Sequence, residues 1–225
     1  MAYDYTVRIN KFIASSTSLS RRAADAAIAD GRVLVDGNTV EQGMDIGTNN
    51  IVTLDNRAIT PSVNSITIML NKPRGYVVSR DGQGSKTIYD ILPPEYQQLN
   101  PVGRLDKDSS GLLLLTNDGE LANELTHPKY QKTKIYEVVL DKPLQPLHQQ
   151  MISDLGIQLE DGLSQFLVTR LERGSTEYQV TMHEGRNRQI RRTFAALGYT
   201  VTHLHRTQFG SYTIDQLKEG ALKSV

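Results

Sequence analysis

The sequence of 225 residues predicts an α+β fold with two domains. The first is a small N-terminal helix-helix-hairpin domain; the second is a larger domain with a central, mostly antiparallel mixed β-sheet flanked by helices. A short amphipathic pattern, a capped alanine-rich helical pattern and a hairpin turn in the first sixty residues predict the small domain. A continuous run, Leu112–Leu115, is typical of a strand buried on both faces. Short β-branched segments and helical patterns around it predict the larger sheet.

Composition limits the classes of function. Lys and Arg number 25 and Asp and Glu number 25, so the net charge is zero and any argument for a nucleic-acid partner must rest on local charge. Cysteine is absent, which excludes disulfides, Cys-ligated zinc and thiol catalysis. No signal-like core begins the chain, and no apolar run approaches the roughly 18 residues of a membrane span. We expect a cytoplasmic protein with no membrane partner, and a monomer.

The first domain is predicted over residues 5–62. Apolar residues at i, i+3 and i+4 indicate its first helix, and a serine cap with a glycine stop delimits the second. Its elements are a helix around Ile9–Ile13, a helix over Arg21–Asp30 between Ser20 and Gly31, and a hairpin with strands Arg32–Val35 and Asn38–Val40 around Asp36-Gly37, followed by a strand at Ile51–Leu54.

These strings, Ile9-Asn-Lys-Phe-Ile13, Leu19-Ser-Arg-Arg-Ala-Ala-Asp25 and Asp30-Gly-Arg-Val-Leu-Val-Asp-Gly37, resemble the S4-type RNA-binding domain. The resemblance implies that basic side chains face folded RNA: Arg8, Lys11, Arg21, Arg22 and Arg32. Residues 1–60 hold six Lys or Arg and seven Asp or Glu, so a solvated surface is the alternative. Contacts that read RNA shape suit this balance better than a strong electrostatic clamp.

The second domain is predicted over residues 65–225, after a linker that contains Pro61. Its predicted strands are Ile66–Leu70, Tyr76–Ser79, Leu112–Leu115, Ile135–Leu140, Phe166–Leu171, Tyr178–Met182 and Tyr199–Leu204. Its predicted helices are a single turn at Thr87–Leu92, then Glu120–Thr126, Leu144–Leu155 and His183–Gly198, and Arg206–Gly210 is predicted to be an exposed turn.

A charged loop, residues 104–111, leads directly into the leucine strand. Asp106, Asp108 and Ser110 have the spacing of a calcium loop, but position 12 of that loop is Asn117 instead of a bidentate glutamate, which disfavours calcium. A carboxylate flanked by cations stays ionised and can serve as nucleophile or base. Asp106, two residues after Arg104, is therefore a candidate catalytic anion, whereas Asp108 is interpreted as turn structure.

Positive charge is concentrated in residues 183–206, which hold five arginines against one acid, Glu184. This asymmetry in a neutral protein indicates a phosphate-rich partner, and a solvated helix face is the alternative. Tyr136 follows Lys132 and Lys134 on its strand, so it is either a core aromatic residue or a stacking platform for a base.

Four motifs together resemble the RNA pseudouridine synthases of the RsuA/RluB/RluE/RluF group, in which an S4-type domain commonly comes first. They are Leu70-Asn-Lys-Pro-Arg-Gly-Tyr76, Val102-Gly-Arg-Leu-Asp-Lys-Asp-Ser-Ser-Gly-Leu-Leu-Leu-Leu-Thr-Asn-Asp-Gly119, Lys132-Thr-Lys-Ile-Tyr-Glu-Val138 and Glu184-Gly-Arg-Asn-Arg-Gln-Ile-Arg-Arg192. The resemblance implies isomerisation of a uridine in RNA to pseudouridine, with no cofactor and no metal. Ribosomal RNA is favoured, the large subunit (23S) more than the small, and transfer RNA stays open.

The resemblance also implies roles for individual residues. Asp106 matches the catalytic aspartate, Tyr136 the aromatic residue that stacks on the base, and Arg186 the basic residue paired with the aspartate. Ile190 is expected to pack beside them, and Arg104 to help hold the displaced nucleotide's site open. Further RNA contacts are expected from Lys72, Arg188, Arg191, Arg192 and Arg206. Whether the aspartate attacks the nucleotide or removes a ribose proton stays open, and a non-catalytic RNA-binding ribosome assembly factor is the alternative function.

Overall fold

The computed structural model describes residues 6–17, 19–60, 65–172 and 174–225. The chain divides into two compact units, Met1–Ser65 and Ile66–Val225, each with its own hydrophobic core. Within the described ranges, no helix has the length and apolar character needed to cross a membrane.

Two helices form one side of the first unit: α1 is Ile9–Ser16 and α2 is Arg21–Ala29. Ser20 caps α2, since its side-chain oxygen accepts a hydrogen bond from the Ala23 N–H at 3.1 Å, which confirms the predicted start. Gly31, just beyond the helix, has φ +69° and ends it as predicted. Small residues, among them Ala24 and Ala27, lie buried in the core of this unit.

The strands of this unit are short. They are β1 (Val7–Arg8), β2 (Val33–Val35), β3 (Asn38–Thr39), β4 (Asp45–Ile46), β5 (Val52–Leu54) and β6 (Arg57–Ile59). An antiparallel sheet has the order β3-β2-β5-β6, and β1 pairs separately with β4. Asp36 (φ 51°) and Gly37 (φ 81°) are both left-handed, as a tight hairpin turn requires, so the β2–β3 hairpin is confirmed. Strands β1, β4 and β6 were not predicted, because two or three residues carry no visible period.

The second unit is built on a nine-stranded mixed sheet. Its strands are β7 (Thr67–Lys72), β8 (Asn100–Val102), β9 (Ser110–Thr116), β10 (Lys134–Leu140), β13 (Leu167–Arg170), β14 (Glu177–Met182), β15 (Val201–Phe209), β16 (Tyr212–Thr213) and β17 (Leu222–Ser224), while β11 (Ile157–Leu159) and β12 (Gly162–Ser164) form a separate hairpin. The main order is β13-β14-β10-β15-β9-β7-β17, with β16 beside β15 and β8 beside β9. Among the described strands, β15–β9 is the parallel pair of this sheet, so the α+β prediction is confirmed.

The leucine run lies on β9, every residue of which is buried. Leu113 and Leu115 belong to the larger of two cores, and Leu112 and Leu114 to a smaller one. Because successive side chains of a strand point to opposite faces, the two cores lie on opposite sides of β9. The prediction of a strand buried on both faces is therefore confirmed, and the charged loop before it begins from a rigid element.

The helices of the second unit are short. They are α3 (Gly119–Thr126), α4 (Pro146–Gln150) with a continuing π turn (Met151–Leu155), α5 (Gln189–Ala196), and 3₁₀ turns at Ile88–Asp90, Pro94–Tyr96 and Pro128–Tyr130. Asp118 caps α3 by accepting hydrogen bonds from the N–H groups of Glu120 and Leu121.

Three local predictions were wrong. Residues 76–79 form no strand, and Val77 makes an isolated bridge to Thr87. Residues 183–188 form a loop ahead of α5, since Arg188 adopts a left-handed conformation with φ 47° that a helix cannot include. Arg206 lies inside β15, which extends to Phe209, and not on an exposed turn.

Candidate active site

The loop that carries Asp106 joins β8 to β9 and is supported from beneath by Lys72 at the end of β7. The Lys72 ammonium donates hydrogen bonds to three backbone carbonyls, those of Pro73 (3.0 Å), Asp106 (3.2 Å) and Ser109 (2.8 Å). Lys72 is completely buried. Burial lowers its pKa from 10.5 to about 8, against the opposing effect of the nearby Asp106 and Asp108 carboxylates. The prediction that Lys72 contacts RNA was wrong, because this side chain holds the loop from inside the core.

Arginine side chains cover the outer side of the same loop. Arg188 donates two hydrogen bonds to the Asp108 carboxylate, at 3.0 and 3.1 Å, and its Nη1 lies 3.5 Å from Oδ2 of Asp106. Arg191 donates to the Asp108 carbonyl at 3.1 Å and to the Ser109 hydroxyl at 3.3 Å. Partial burial raises the pKa of Asp108, but the hydrogen bonds from Arg188 and the charge of Arg191 outweigh it, so this pKa lies below its usual value.

This arrangement corrects two predictions. The cation in contact with Asp106 is Arg188, whereas Arg186 was expected there. Asp108 is an ion-pair partner for two arginines and not merely a turn residue. The calcium alternative loses support from the same contacts, because arginine side chains lie against both of the carboxylates it requires.

Arg186 is held instead by the β11–β12 hairpin. It donates to the backbone carbonyl of Asp161 (2.9 Å), to the Asp161 carboxylate (3.1 Å) and to the Leu163 carbonyl (2.7 Å). Arg192 binds the other side of the Asp161 carboxylate at 3.0 and 2.7 Å. These hydrogen bonds from Arg192 and the charge of Arg186 lower the pKa of Asp161. The hairpin tip thus fixes the loop between β14 and α5.

A cleft of about 460 Å³ opens between these loops and one face of the sheet. Among the residues that line it are all five predicted catalytic residues: Arg104, Asp106, Tyr136, Arg186 and Ile190. Tyr136 is 8 % exposed and Ile190 5 %, so they form an apolar wall. The Asp106 side chain is 31 % exposed, which leaves its carboxylate accessible from the cleft. Arg104 is exposed, and within the described residues its guanidinium has no hydrogen-bond or ion-pair partner.

The other predicted RNA contacts of the second unit differ in exposure. Arg188 and Arg192 are partly exposed, with side-chain values of 44 % and 32 %. The Arg191 side chain is 11 % exposed and Arg206 is 2 % exposed. Arg191 also donates to the Val201 carbonyl at 2.8 Å, and Arg206 donates to the Leu112 carbonyl at 2.8 Å. Arg191 and Arg206 therefore hold backbone carbonyls from positions that are mostly buried, and their RNA contacts stay predictions.

In the first unit, two of the five predicted basic residues, Arg8 and Arg32, lie beside carboxylates. Arg32 forms a bidentate pair with Asp55 at 2.8 and 2.6 Å, and Arg8 lies 3.3 Å from Asp45 and donates to the Gly43 carbonyl. Lys11 is half-buried on α1, and Arg21 and Arg22 are exposed in the first turn of α2. All five RNA contacts stay predictions.

Two residues that shape the cleft were missed as site residues. Lys134 lines the cleft two residues before Tyr136, and the alternation of side chains along a strand would have placed both on one face. Asp161 lies 25 residues before Arg186, and nothing in the local sequence pattern predicts that its carboxylate holds Arg186.

Comparison with known proteins agrees with this architecture. Residues 66–196 match the family model described as RNA pseudouridylate synthase, and residues 7–61 match the S4 domain. An uncharacterised RNA pseudouridine synthase of Aquifex aeolicus (strain VF5) is 36 % identical over 97 % of this chain and 90 % of its own length. Ribosomal large subunit pseudouridine synthase B of Bacillus subtilis (strain 168) is 36 % identical over 97 % and 91 %. A pseudouridylate synthase crystal structure aligns with a TM-score of 0.69 at 32 % identity, covering 97 % of this chain and 96 % of that one.

Proposed function

Because the chain belongs to the RNA pseudouridylate synthase family and is an RNA-modifying isomerase with an S4 domain, we propose that it converts a specific uridine of large-subunit (23S) ribosomal RNA to pseudouridine through Asp106. The name of the Bacillus subtilis relative supports the choice of RNA. In this proposal residues 5–62 bind RNA and residues 65–225 carry the reaction. The enzyme acts as a cytoplasmic monomer.

One observation carries the assignment of Asp106. Its carboxylate lines the cleft and is partly exposed, while the neighbouring Asp108 carboxylate is taken up by Arg188 and Arg191. The Asp106 carboxylate therefore remains available to a substrate, and Arg188 at 3.5 Å stabilises its charge. Lys72 fixes the backbone of the loop that carries it.

The reaction moves the ribose from N1 of uracil to C5, with no net oxidation. The target base must leave its stack, which costs a few kcal/mol. Tyr136 and Ile190 offer it an apolar wall inside the cleft, and the Arg104 guanidinium, which has no partner in the described part of the chain, is available to the RNA backbone. Asp106 then acts either on C1′ as a nucleophile or on the C2′ proton as a base. Both routes need a carboxylate at this position.

The test compares Asp106→Asn with Asp108→Asn, two isosteric changes in one loop. Release of tritium from RNA that contains 5-tritiated uridine measures the reaction, and filter binding measures affinity for the same RNA. Asp106→Asn should abolish release and retain RNA binding, whereas Asp108→Asn should slow release because Arg188 and Arg191 lose an anchor. Full activity of Asp106→Asn would overturn the assignment.

The choice of RNA requires a separate experiment. A map of pseudouridine in cellular RNA, with and without the protein, should show loss of a site in large-subunit ribosomal RNA. A lost site in transfer RNA would move the substrate to that class. Tight RNA binding with no lost site in any RNA would favour the ribosome assembly factor.

A further inference from the structure

Several cations that line the cleft form no ion pair within the described residues. Among the cations that line the cleft, Arg186 and Arg188 have carboxylate partners, Asp161 and Asp108. Three cations have no carboxylate within 4.0 Å among the described residues, and these are Arg104, Lys134 and Arg206. Arg104 is exposed, while Lys134 is half-buried and Arg206 is buried. Lys134 and Arg206 thus form no ion pair, and the Glu184 carboxylate that acts on Lys134 from a distance is itself paired with Arg186 at 3.5 Å. This raises the question of which negative charge the two cations serve.

Lys134 is placed to contact a molecule in the cleft. It lies on β10 two residues before Tyr136, so both side chains project from the same face of the sheet. Its ammonium donates a long hydrogen bond, 3.3 Å, to the His183 carbonyl and lies 5.2 Å from the ring centre of Phe209. An ammonium has three N–H donors, and a single carbonyl accepts one of them. At least one donor therefore remains for a group in the cleft.

Arg206 adds to the positive potential from behind. It is the cross-strand partner of Tyr136 in the β10–β15 pair, and its guanidinium carbon lies 4.8 Å from the ring centre of Phe209. Its Nε donates to the Leu112 carbonyl, but the buried Nη2 has no hydrogen-bond partner among the described residues. Burial and the charge of Arg206 lower the pKa of Lys134, against the opposing charge of the Glu184 carboxylate. The unpartnered Nη2 of Arg206 and the lowered pKa of Lys134 both indicate that the site holds positive charge at a cost in free energy.

We propose that the Lys134 ammonium contacts a carbonyl oxygen of the detached uracil and stabilises its negative charge, with Arg206 as a positioning residue behind it. This inference rests on the proposed function. When the C1′–N1 bond breaks, the electron pair stays on uracil, and its charge spreads over N1, O2 and O4. The C5–C1′ bond then forms, C5 loses a proton and N1 gains one. Lys134 keeps its own proton throughout.

Such a contact becomes stronger as charge develops and therefore accelerates the reaction more than it tightens RNA binding. A lysine that serves a backbone phosphate would behave differently, because its loss weakens RNA affinity and reduces the salt dependence of binding. Lys132 provides a matched control, because it lies two residues away and pairs with Glu124 at 2.6 Å.

The experiment measures the single-turnover rate at saturating enzyme, and RNA affinity at two salt concentrations, for wild type, Lys134→Met, Lys134→Arg and Lys132→Met. We expect Lys134→Met to lose about 100-fold in rate, as removal of a charge-stabilising donor does, with RNA affinity unchanged within about twofold. Lys134→Arg should recover most of the rate, and Lys132→Met should match wild type. An unchanged rate in Lys134→Met, or a loss confined to RNA affinity, would overturn the proposal.

A binding measurement tests without turnover whether Lys134 favours a negatively charged pyrimidine, and the melting temperature detects a folding defect. Barbiturate is an anionic pyrimidine of nearly the same shape as neutral uracil, and saturation-transfer NMR reports both. Wild type should bind barbiturate more tightly than uracil, and Lys134→Met should lose that preference while keeping the melting temperature of wild type. Equal preference in the two proteins would refute the role of Lys134. If wild type makes no pseudouridine at all, the proposed function itself fails, which is a distinguishable result.

Discussion

Replacement of the buried Lys72 by methionine should remove a specific pH dependence of stability. Burial lowers the Lys72 pKa from 10.5 to about 8 in the folded protein. Between these pH values the unfolded chain binds a proton that the folded chain lacks, so the free energy of unfolding rises with pH through this window. At about 1.4 kcal/mol per pKa unit, the rise is at most about 3.5 kcal/mol. Lys72→Met has no such proton and should lack this increment.

The assay is urea unfolding of the full chain at half-unit pH steps from 7 to 10, following the transition of the second unit. Lys223, exposed on β17, supplies the control Lys223→Met, which should follow wild type. The difference between wild type and Lys72→Met should grow with pH above 8. Parallel curves for these two proteins would refute the claim that burial lowers the pKa of Lys72. Lys72→Met should also lose roughly 100-fold in rate, because the loop that carries Asp106 loses its internal donor.

Three further predictions concern the same unit. A Cβ at Gly111 would lie 2.3 Å from the Arg206 carbonyl oxygen, and the φ of Gly111 is +107°, so Gly111→Ala should destabilise the unit by about 3 kcal/mol or more. Gly119 has open space around it, so Gly119→Ala should not destabilise the unit, and equal melting temperatures of the two variants would contradict this. Asp118→Ala removes the cap of α3 and should cost about 1 kcal/mol in urea unfolding while the single-turnover rate stays unchanged; a lost rate would place Asp118 in the site. Arg188→Gln should reduce the single-turnover rate by about tenfold or more. It should change the free energy of unfolding by less than about 1 kcal/mol, because the pair with Asp108 is partly exposed. A loss of stability without a loss of rate would mean that Arg188 serves the fold and not the reaction.

The features predicted best from sequence are those that local chemistry determines. A continuous leucine run specifies a strand buried on both faces, and Asp36-Gly37 specifies a hairpin turn. Ser20 specifies the start of α2, because its hydroxyl accepts a hydrogen bond from the Ala23 N–H. The membership of the cleft was predicted by a different means, the resemblance to a family, which placed Asp106 and Tyr136 in one site despite 30 residues between them.

The errors arose where tertiary contacts decide. Arg186 and Arg188 are two residues apart in a loop, and the left-handed backbone at Arg188 determines which of them reaches Asp106. Lysine and arginine are usually exposed, so Lys72 and Arg206 were assigned to the surface, although both are buried. Their acceptors are backbone carbonyls of distant strands and loops. A hydrophobic pattern in the sequence does not predict such acceptors.

The two aspartates of the loop show how the fold gives identical side chains different surroundings. Asp108 receives a bidentate pair from Arg188 and lies 3.4 Å from Nε of Arg191, so its carboxylate is engaged from two sides. Among the described residues, the Asp106 carboxylate lies within 4.0 Å of one cation, Arg188 at 3.5 Å, and it faces the cleft. By engaging Asp108, Arg188 is held where it stabilises charge on Asp106 without a short hydrogen bond that a substrate would have to displace. The reaction proposed for Asp106 requires that combination of a nearby positive charge and an oxygen open to substrate.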